Sequence, residues 1–230
     1  MPVVRIKNAN SVVVIDERYS NLMLRQKLIL NPTYRQAGKD YICSVDIGCS
    51  QDAVMAYRSN GGFSGIVNYV TQSGTVRHYD FVSYDNFSLE IYVYDTADYA
   101  ALTGGAYLAV RNPTTGRKVF DSRGKYMSIL GYMEVTAPIN SGQFNTFDAG
   151  GRVAACVVLQ PYKHDWAGGF DAGGTPVSEA GNDAMQIRAS GNNIQARIEE
   201  WRYRTGGTGG LSYDLYTGSK LLMFVDVTGV

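Results

Sequence analysis

The stretch Ser88-Leu89-Glu90-Ile91-Tyr92-Val93-Tyr94-Asp95 decides the fold class. Leu89, Ile91 and Val93 recur at every second position, the period of an extended chain, where side chains point alternately to opposite faces. Thr75-Val76-Arg77-His78-Tyr79-Asp80-Phe81-Val82 repeats the pattern with Tyr79 and Phe81. Both runs are rich in β-branched and aromatic residues, which pack well on a pleated surface. Turn signals separate such runs: Ser59-Asn60-Gly61-Gly62, Gln72-Ser73-Gly74, Thr103-Gly104-Gly105, Pro113-Thr114-Thr115-Gly116 and Gly206 to Gly210. Short strands at this spacing predict an all-β sandwich or barrel. Only positions 193–204 leave helix and strand both open. Ile194, Ile198 and Trp201 fit a helical stripe, while Ile194, Ala196 and Ile198 fit a strand. Strand is the preferred reading.

An internal repeat organises the chain. Arg5-Ile6-Lys7-Asn8-Ala9-Asn10-Ser11-Val12-Val13-Val14-Ile15-Asp16-Glu17-Arg18 reads as strand, polar turn, strand and an Asp-x-Arg exit. Its echo runs from Ala109-Val110-Arg111-Asn112 through Gly116 to Val119-Phe120-Asp121-Ser122-Arg123, with one extra residue in the turn. An apolar segment follows each exit: Leu22-Met23-Leu24 in the first copy, Met127-Ser128-Ile129-Leu130 in the second. The repeat divides the chain into β-sandwich-like modules at 1–105 and 106–230, the second carrying a longer loop insertion at about 161–210. The alternative is one continuous β-sandwich with two similar hairpins. Asn8, Asp16 and Arg18, with Asn112, Gly116, Asp121 and Arg123, are read as structural hairpin residues. Asp bonds backbone N–H groups at the exit, and Arg covers or pairs the edge.

The phrase Tyr107-Leu108-Ala109-Val110-Arg111-Asn112, continued by Gly116-Arg117-Lys118-Val119-Phe120-Asp121-Ser122-Arg123, resembles a hairpin of small tailed-bacteriophage virion proteins linked to tail tips and tail fibres. Asn112, Gly116, Val119, Phe120, Asp121 and Ser122 match that pattern. The first copy matches at Asn8, Val14, Ile15 and Asp16, but has Ser11 and Val12 near the position of the family's Gly. Val54-Met55-Ala56-Tyr57-Arg58-Ser59 and Val158-Leu159-Gln160-Pro161 are loose versions of a second family strand. The resemblance implies a structural role in the virion, in the tail tip, baseplate or a fibre attachment. It also implies synthesis in a host cytoplasm, assembly as a homo-oligomer, and contacts with other tail proteins. A glycan- or host-surface-binding module of a tail fibre is the alternative, and a capsid, collar or decoration protein a weaker one.

Charge and composition exclude simpler roles. Lys plus Arg equals 21, as does Asp plus Glu, so the basic excess that neutralises phosphates is missing and nucleic acid is not an expected partner. Neutrality holds in each half: nine basic against ten acidic residues in 1–105, twelve against eleven in 106–230. Little long-range repulsion then opposes self-assembly. Arg5, Lys7, Asp16, Glu17 and Arg18 leave no apolar core for a signal peptide. The apolar runs Ala154–Leu159 and Leu221–Val225 are too short to span a bilayer, so no membrane association is expected. Cys43, Cys49 and Cys156 have no metal-ligand spacing and read as reduced, buried thiols.

No enzyme, cofactor or metal is expected. His164 and Asp165 are adjacent and would point to opposite faces of a strand. The glycines of Gly168-Gly169-Phe170-Asp171-Ala172-Gly173-Gly174 lack the Lys-Ser/Thr of a phosphate loop. The expected contact residues are Tyr162, Trp166 and Phe170 in a loop excursion, with Tyr92 and Tyr94 on a strand, because aromatic rings with polar handles suit interfaces. Tyr84, Tyr92, Tyr94, Trp166 and Trp201 would be the platforms in a sugar-binding role.

Overall fold

The computed structural model describes residues 5–7, 13–16, 21–35, 40–72, 75–100, 102, 104–105, 108–138, 141–158, 163–167, 179–205, 213–217 and 220–230. Every regular element among them is a strand. In the first half these are β1 (Arg5–Lys7), β2 (Val13–Asp16), β3 (Met23–Leu30), β4 (Thr33–Arg35), β5 (Asp40–Gly48), β6 (Val54–Asn60), β7 (Ser64–Gln72), β8 (Val76–Ser83) and β9 (Ser88–Asp95). The second half opens with β10 (Ala109–Arg111), β11 (Lys118–Asp121), β12 (Ile129–Glu134), β13 (Asn145–Phe147) and β14 (Ala154–Val158). It closes with β15 (Lys163–Ala167), β16 (Glu179–Ser190), β17 (Asn193–Thr205), β18 (Tyr213–Thr217) and β19 (Leu221–Asp226). The ambiguous positions 193–204 are therefore strand. The expected loop insertion at 161–210 needs correction, since β15, β16 and β17 lie inside it. Ile187 and Ile194, alternating with polar neighbours on β16 and β17, bury into the core and hold these strands in the sandwich.

Each half contributes to both sheets. One sheet has the order β12-β19-β14-β6-β9-β3; the other runs β13-β17-β16-β7-β8-β5-β4, with β15 and β18 added beside β16. The six-stranded order and the β13-β17-β16-β7-β8-β5 part of the other are palindromes of corresponding strands; β4, β15 and β18 have no counterpart. β3, β9 and β6 mirror β12, β19 and β14, while β5, β8 and β7 mirror β13, β17 and β16. The halves join by antiparallel pairing at the centre of each sheet, Tyr57 opposite Cys156 and Gly65 opposite Gln186. Both sheets are thus continuous across the 105/106 boundary.

Register carries the same duplication. In β1–β2, Arg5 faces Asp16 and Ile6 faces Ile15 before a bulge; in β10–β11, Ala109 faces Asp121 and Val110 faces Phe120 before a bulge at the same step. The β3–β9 ladder skips Arg25, and β12–β19 skips Leu130 at the corresponding place. Bulges re-aim a strand locally, and both copies use one to bend into the sheet edge.

The main core lies between the sheets. Tyr57 meets Phe81 edge-on at 5.1 Å, and Phe147 stacks on Phe224 at 4.1 Å. A second apolar layer sits on the outer face of the six-stranded sheet, where Tyr92, Tyr94, Val157 and Val225 are buried. Its cover is the pair of segments that follow the two hairpins. They cross antiparallel, Leu24 N donating to Lys125 O at 2.7 Å and Met127 N to Leu22 O at 2.9 Å, and lay Leu22, Leu24 and Met127 over the tyrosines. Burying each large side chain is worth about 1.5–3 kcal/mol, so the crossing is itself a stabilising feature.

Candidate functional site

The second hairpin shows how its residues act. The Asn112 carboxamide oxygen accepts from Thr114 N and Thr115 N, both at 2.9 Å, closing an Asx turn. Gly116 completes the turn at φ 70°, a left-handed conformation that costs glycine no Cβ clash, and its N–H donates to Asn112 O at 2.8 Å. At the exit Asp121 is fully buried. It accepts from Arg123 Nη2 at 2.7 Å, Nε at 2.9 Å and the backbone N at 3.2 Å, with Lys118 Nζ 3.1 Å away. The Arg123 fork holds the Asp121 carboxyl well below the usual carboxylate range, against the opposing pull of burial. Tyr126 donates to Asp121 O at 2.8 Å and stacks on Phe120 at 5.1 Å, tying the exit to the crossing segment. Asp16 is on β2, its main chain facing Arg5. Asn8 and Arg18 lie outside the described residues.

The contact-surface expectation needs correction for Tyr92 and Tyr94, each 1% exposed. Crossing segments cover that face, and the hydroxyls are satisfied inside: Tyr92 donates to Glu90 Oε2 at 2.5 Å and Tyr94 to Asp226 O at 3.5 Å. Burial pushes the Tyr94 phenol up to about 12. Trp166 sits on β15, where its backbone faces Gly181 and Asp214, and Trp201 is on β17. Tyr162 and Phe170 lie outside the described residues. Tyr84 is half exposed.

Exposed large apolar side chains are spread over the described surface, Ile29 of β3 at 66% among them, and three of them lie on β12 and its neighbour β19. β12 ends the six-stranded sheet, and among the described residues no strand pairs with its outer side. Its Ile129 and Tyr132 are 48% and 59% exposed, and Leu221, opposite Glu134 on β19, is 56% exposed. Gly131 keeps the strand close to the core, because a Cβ there would come within 3.1 Å of the Phe147 ring. The signal available in the sequence was Ile129-Leu130-Gly131-Tyr132-Met133, a run of strand-forming residues carrying no charge.

Two polar features complete the survey. His78 bridges Asp46 (Nδ1 to Oδ1, 2.7 Å) and Asp80 (Nε2 to Oδ1, 3.1 Å) across β5 and β8. The bond to Asp46, reinforced by Asp80 and opposed by burial, raises the imidazole pKa. With both nitrogens on carboxylates the ring serves as a cationic strap and has no free lone pair for base chemistry. A shallow cleft of about 460 Å³ opens between Asn31, Asn60, Asn86 and Ser88, where three turns meet. Among the described residues no group of three or more His, Cys, Asp or Glu could hold a metal ion. The three cysteines are free and buried, and burial pushes the Cys156 thiol up to about 12, making it unreactive at neutral pH. No helix among the described residues is long and apolar enough to cross a membrane. No family model, curated protein or solved structure matches the chain.

Proposed function

We propose that this chain is a non-enzymatic structural protein of a tailed-phage virion, placed in the tail and acting through subunit assembly. The observation that carries the assembly role is the open β12 edge. An edge strand whose backbone groups are unpaired is a template for another chain, and on β12 the bulge at Leu130 and the charge of Glu134 guard only part of its length. Here Ile129 and Tyr132 are exposed along an edge strand whose outer side no described strand pairs. A homo-oligomer, or a neighbouring tail protein, would pair there. The tail placement rests on the hairpin resemblance alone.

Solution mass by light scattering, together with antibody labelling of purified virions, tests the proposal. A stable oligomer and label at one end of the tail are the expected results. A monomer that never co-purifies with particles overturns it.

A further inference from the structure

A second cluster, on the outer face of the nine-stranded sheet, has a chemistry that the assembly role leaves unused. Along β16, Met185 and Ile187 point into the core, so Gln186 and Arg188 point out; along β17, Ile194, Ala196 and Ile198 point in and Gln195, Arg197 and Glu199 point out. Phe63, at the entrance to β7, is 3% exposed on this face, with the guanidinium groups of Arg197 and Arg188 at 4.1 and 4.4 Å from its ring centroid. Phe144, just before β13, lies 6.2 Å from Phe63 and 5.9 Å from the Arg188 guanidinium, and is 44% exposed. Two rings and two cations therefore share one patch. The two cations are mounted on strands, which hold side chains more rigidly than loops do, and each ring directly precedes one.

Charge in the patch does not balance. Arg197 Nε lies 3.2 Å from Glu199 Oε2, without the geometry of a hydrogen bond. Arg188 spends Nε and Nη2 on the neutral Gln195 Oε1, at 3.2 and 2.7 Å, and forms no ion pair among the described residues. That leaves Nη1 and the outer edge of the fork free for a carboxylate. Gln186 steadies the second cation from inside the patch. It is 2% exposed, and its Oε1 accepts from Arg197 Nη2 at 3.5 Å, so the outward-facing polar groups left for a ligand are those of Arg188 and Gln195.

We propose that Phe144 and Arg188, with Gln195 beside them, form a binding site for a carboxylate-bearing sugar, of the uronic or sialic acid class. The exposed phenyl ring offers a flat apolar platform for the C–H face of a pyranose. The outer edge of the Arg188 fork takes the carboxylate, and the Gln195 amide serves a hydroxyl or an acyl group. The site makes no use of the β12 edge, so it stands whether or not the chain assembles in a tail.

The test uses the intact protein with oligosaccharides containing glucuronic or sialic acid, their carboxyl-reduced neutral counterparts, and a polyglutamate peptide. Binding is read by ligand-observed NMR and calorimetry at low salt. The expected result is binding of an acidic oligosaccharide, at least about tenfold tighter than its reduced form. Phe144→Ala should weaken it about tenfold at unchanged melting temperature, since the ring is substantially exposed, and Arg188→Gln should do the same. Failure of every acidic sugar to bind overturns the proposal, as does equal binding of reduced and acidic forms or binding indifferent to Phe144→Ala. Polyglutamate binding as tightly as the sugars would transfer the site to an acidic protein partner.

Discussion

β3 and β12 occupy equivalent places in the two halves, yet present different surfaces. Each follows a hairpin of the same register, each is skipped at one bulge, and each closes an end of the six-stranded sheet. β3 carries Arg25 paired with Asp95 at 2.8 Å, and Lys27 paired with Glu90 at 3.0 Å and bonded to Val230 O at 3.1 Å. β12 places Leu130 where β3 has Arg25, and exposes Ile129 and Tyr132. Charge on an edge opposes pairing with a foreign strand. The two edges place it differently: β3 has Arg25 and Lys27 but exposes Ile29 at 66%, whereas β12 exposes Ile129 and Tyr132 and carries its charge at Glu134.

The sharpest way to break the comparison is to separate the halves. Arg58 is 6% exposed and donates to Ala154 O at 2.6 Å and Gly191 O at 2.8 Å, both in the other half. Arg58→Ala removes two charge-assisted bonds and leaves their acceptors unpaired. It should cost about 3 kcal/mol or more in denaturant unfolding. Next, Gly65→Ala strikes the seam directly, because its Cβ would lie 2.7 Å from Met185 O. Overpacking of this kind costs about 1–3 kcal/mol, and a melting temperature equal to wild type would show that the seam yields freely.

Tyr132→Lys gives β12 the chemistry of β3. Self-association measured by light scattering should weaken about tenfold or more, close to 1.4 kcal/mol, with the melting temperature of the subunit unchanged. Undiminished oligomers would place the interface elsewhere. Asp121→Ala should destabilise the second hairpin by about 1 kcal/mol or more. Because its folded pKa is depressed, that contribution is present above about pH 3.9, the unfolded value, and fades as pH falls through the folded value. The smallest effect belongs to His78. Its folded pKa is raised, so its stabilisation is complete below about pH 6.5 and is lost as pH rises through the folded value. His78→Gln should flatten that part of the stability–pH curve, and an identical curve in the variant would remove the strap from the account.

Much of the architecture was legible in advance. Alternation in 88–95 and 75–82 identified strands, and the Asn112–Asp121 motif identified a hairpin whose turn and exit are observed; in the first copy the pairing of 5–7 with 13–16 has the same register, and its turn lies outside the described residues. The site was less legible. Tyr92 and Tyr94 read as contact residues because period 2 tells which side chains share a face but not what lies over that face. Phe63, Phe144 and Arg188 were missed because they come together only through β7, β16, β17 and β13, from parts of the chain far apart in sequence.

By itself the sequence determined the all-β class, the duplicated hairpin, the neutral halves and the absence of metal-ligand spacing among its cysteines, since each depends on neighbours within a few residues. Tertiary structure alone decided that the halves fuse through β6·β14 and β7·β16, that two crossing segments bury the tyrosines, and that no described strand pairs the outer side of β12. Those outcomes depend on pairing between distant strands. Its energy comes from whole faces being covered or left exposed, and no local pattern of residues records it.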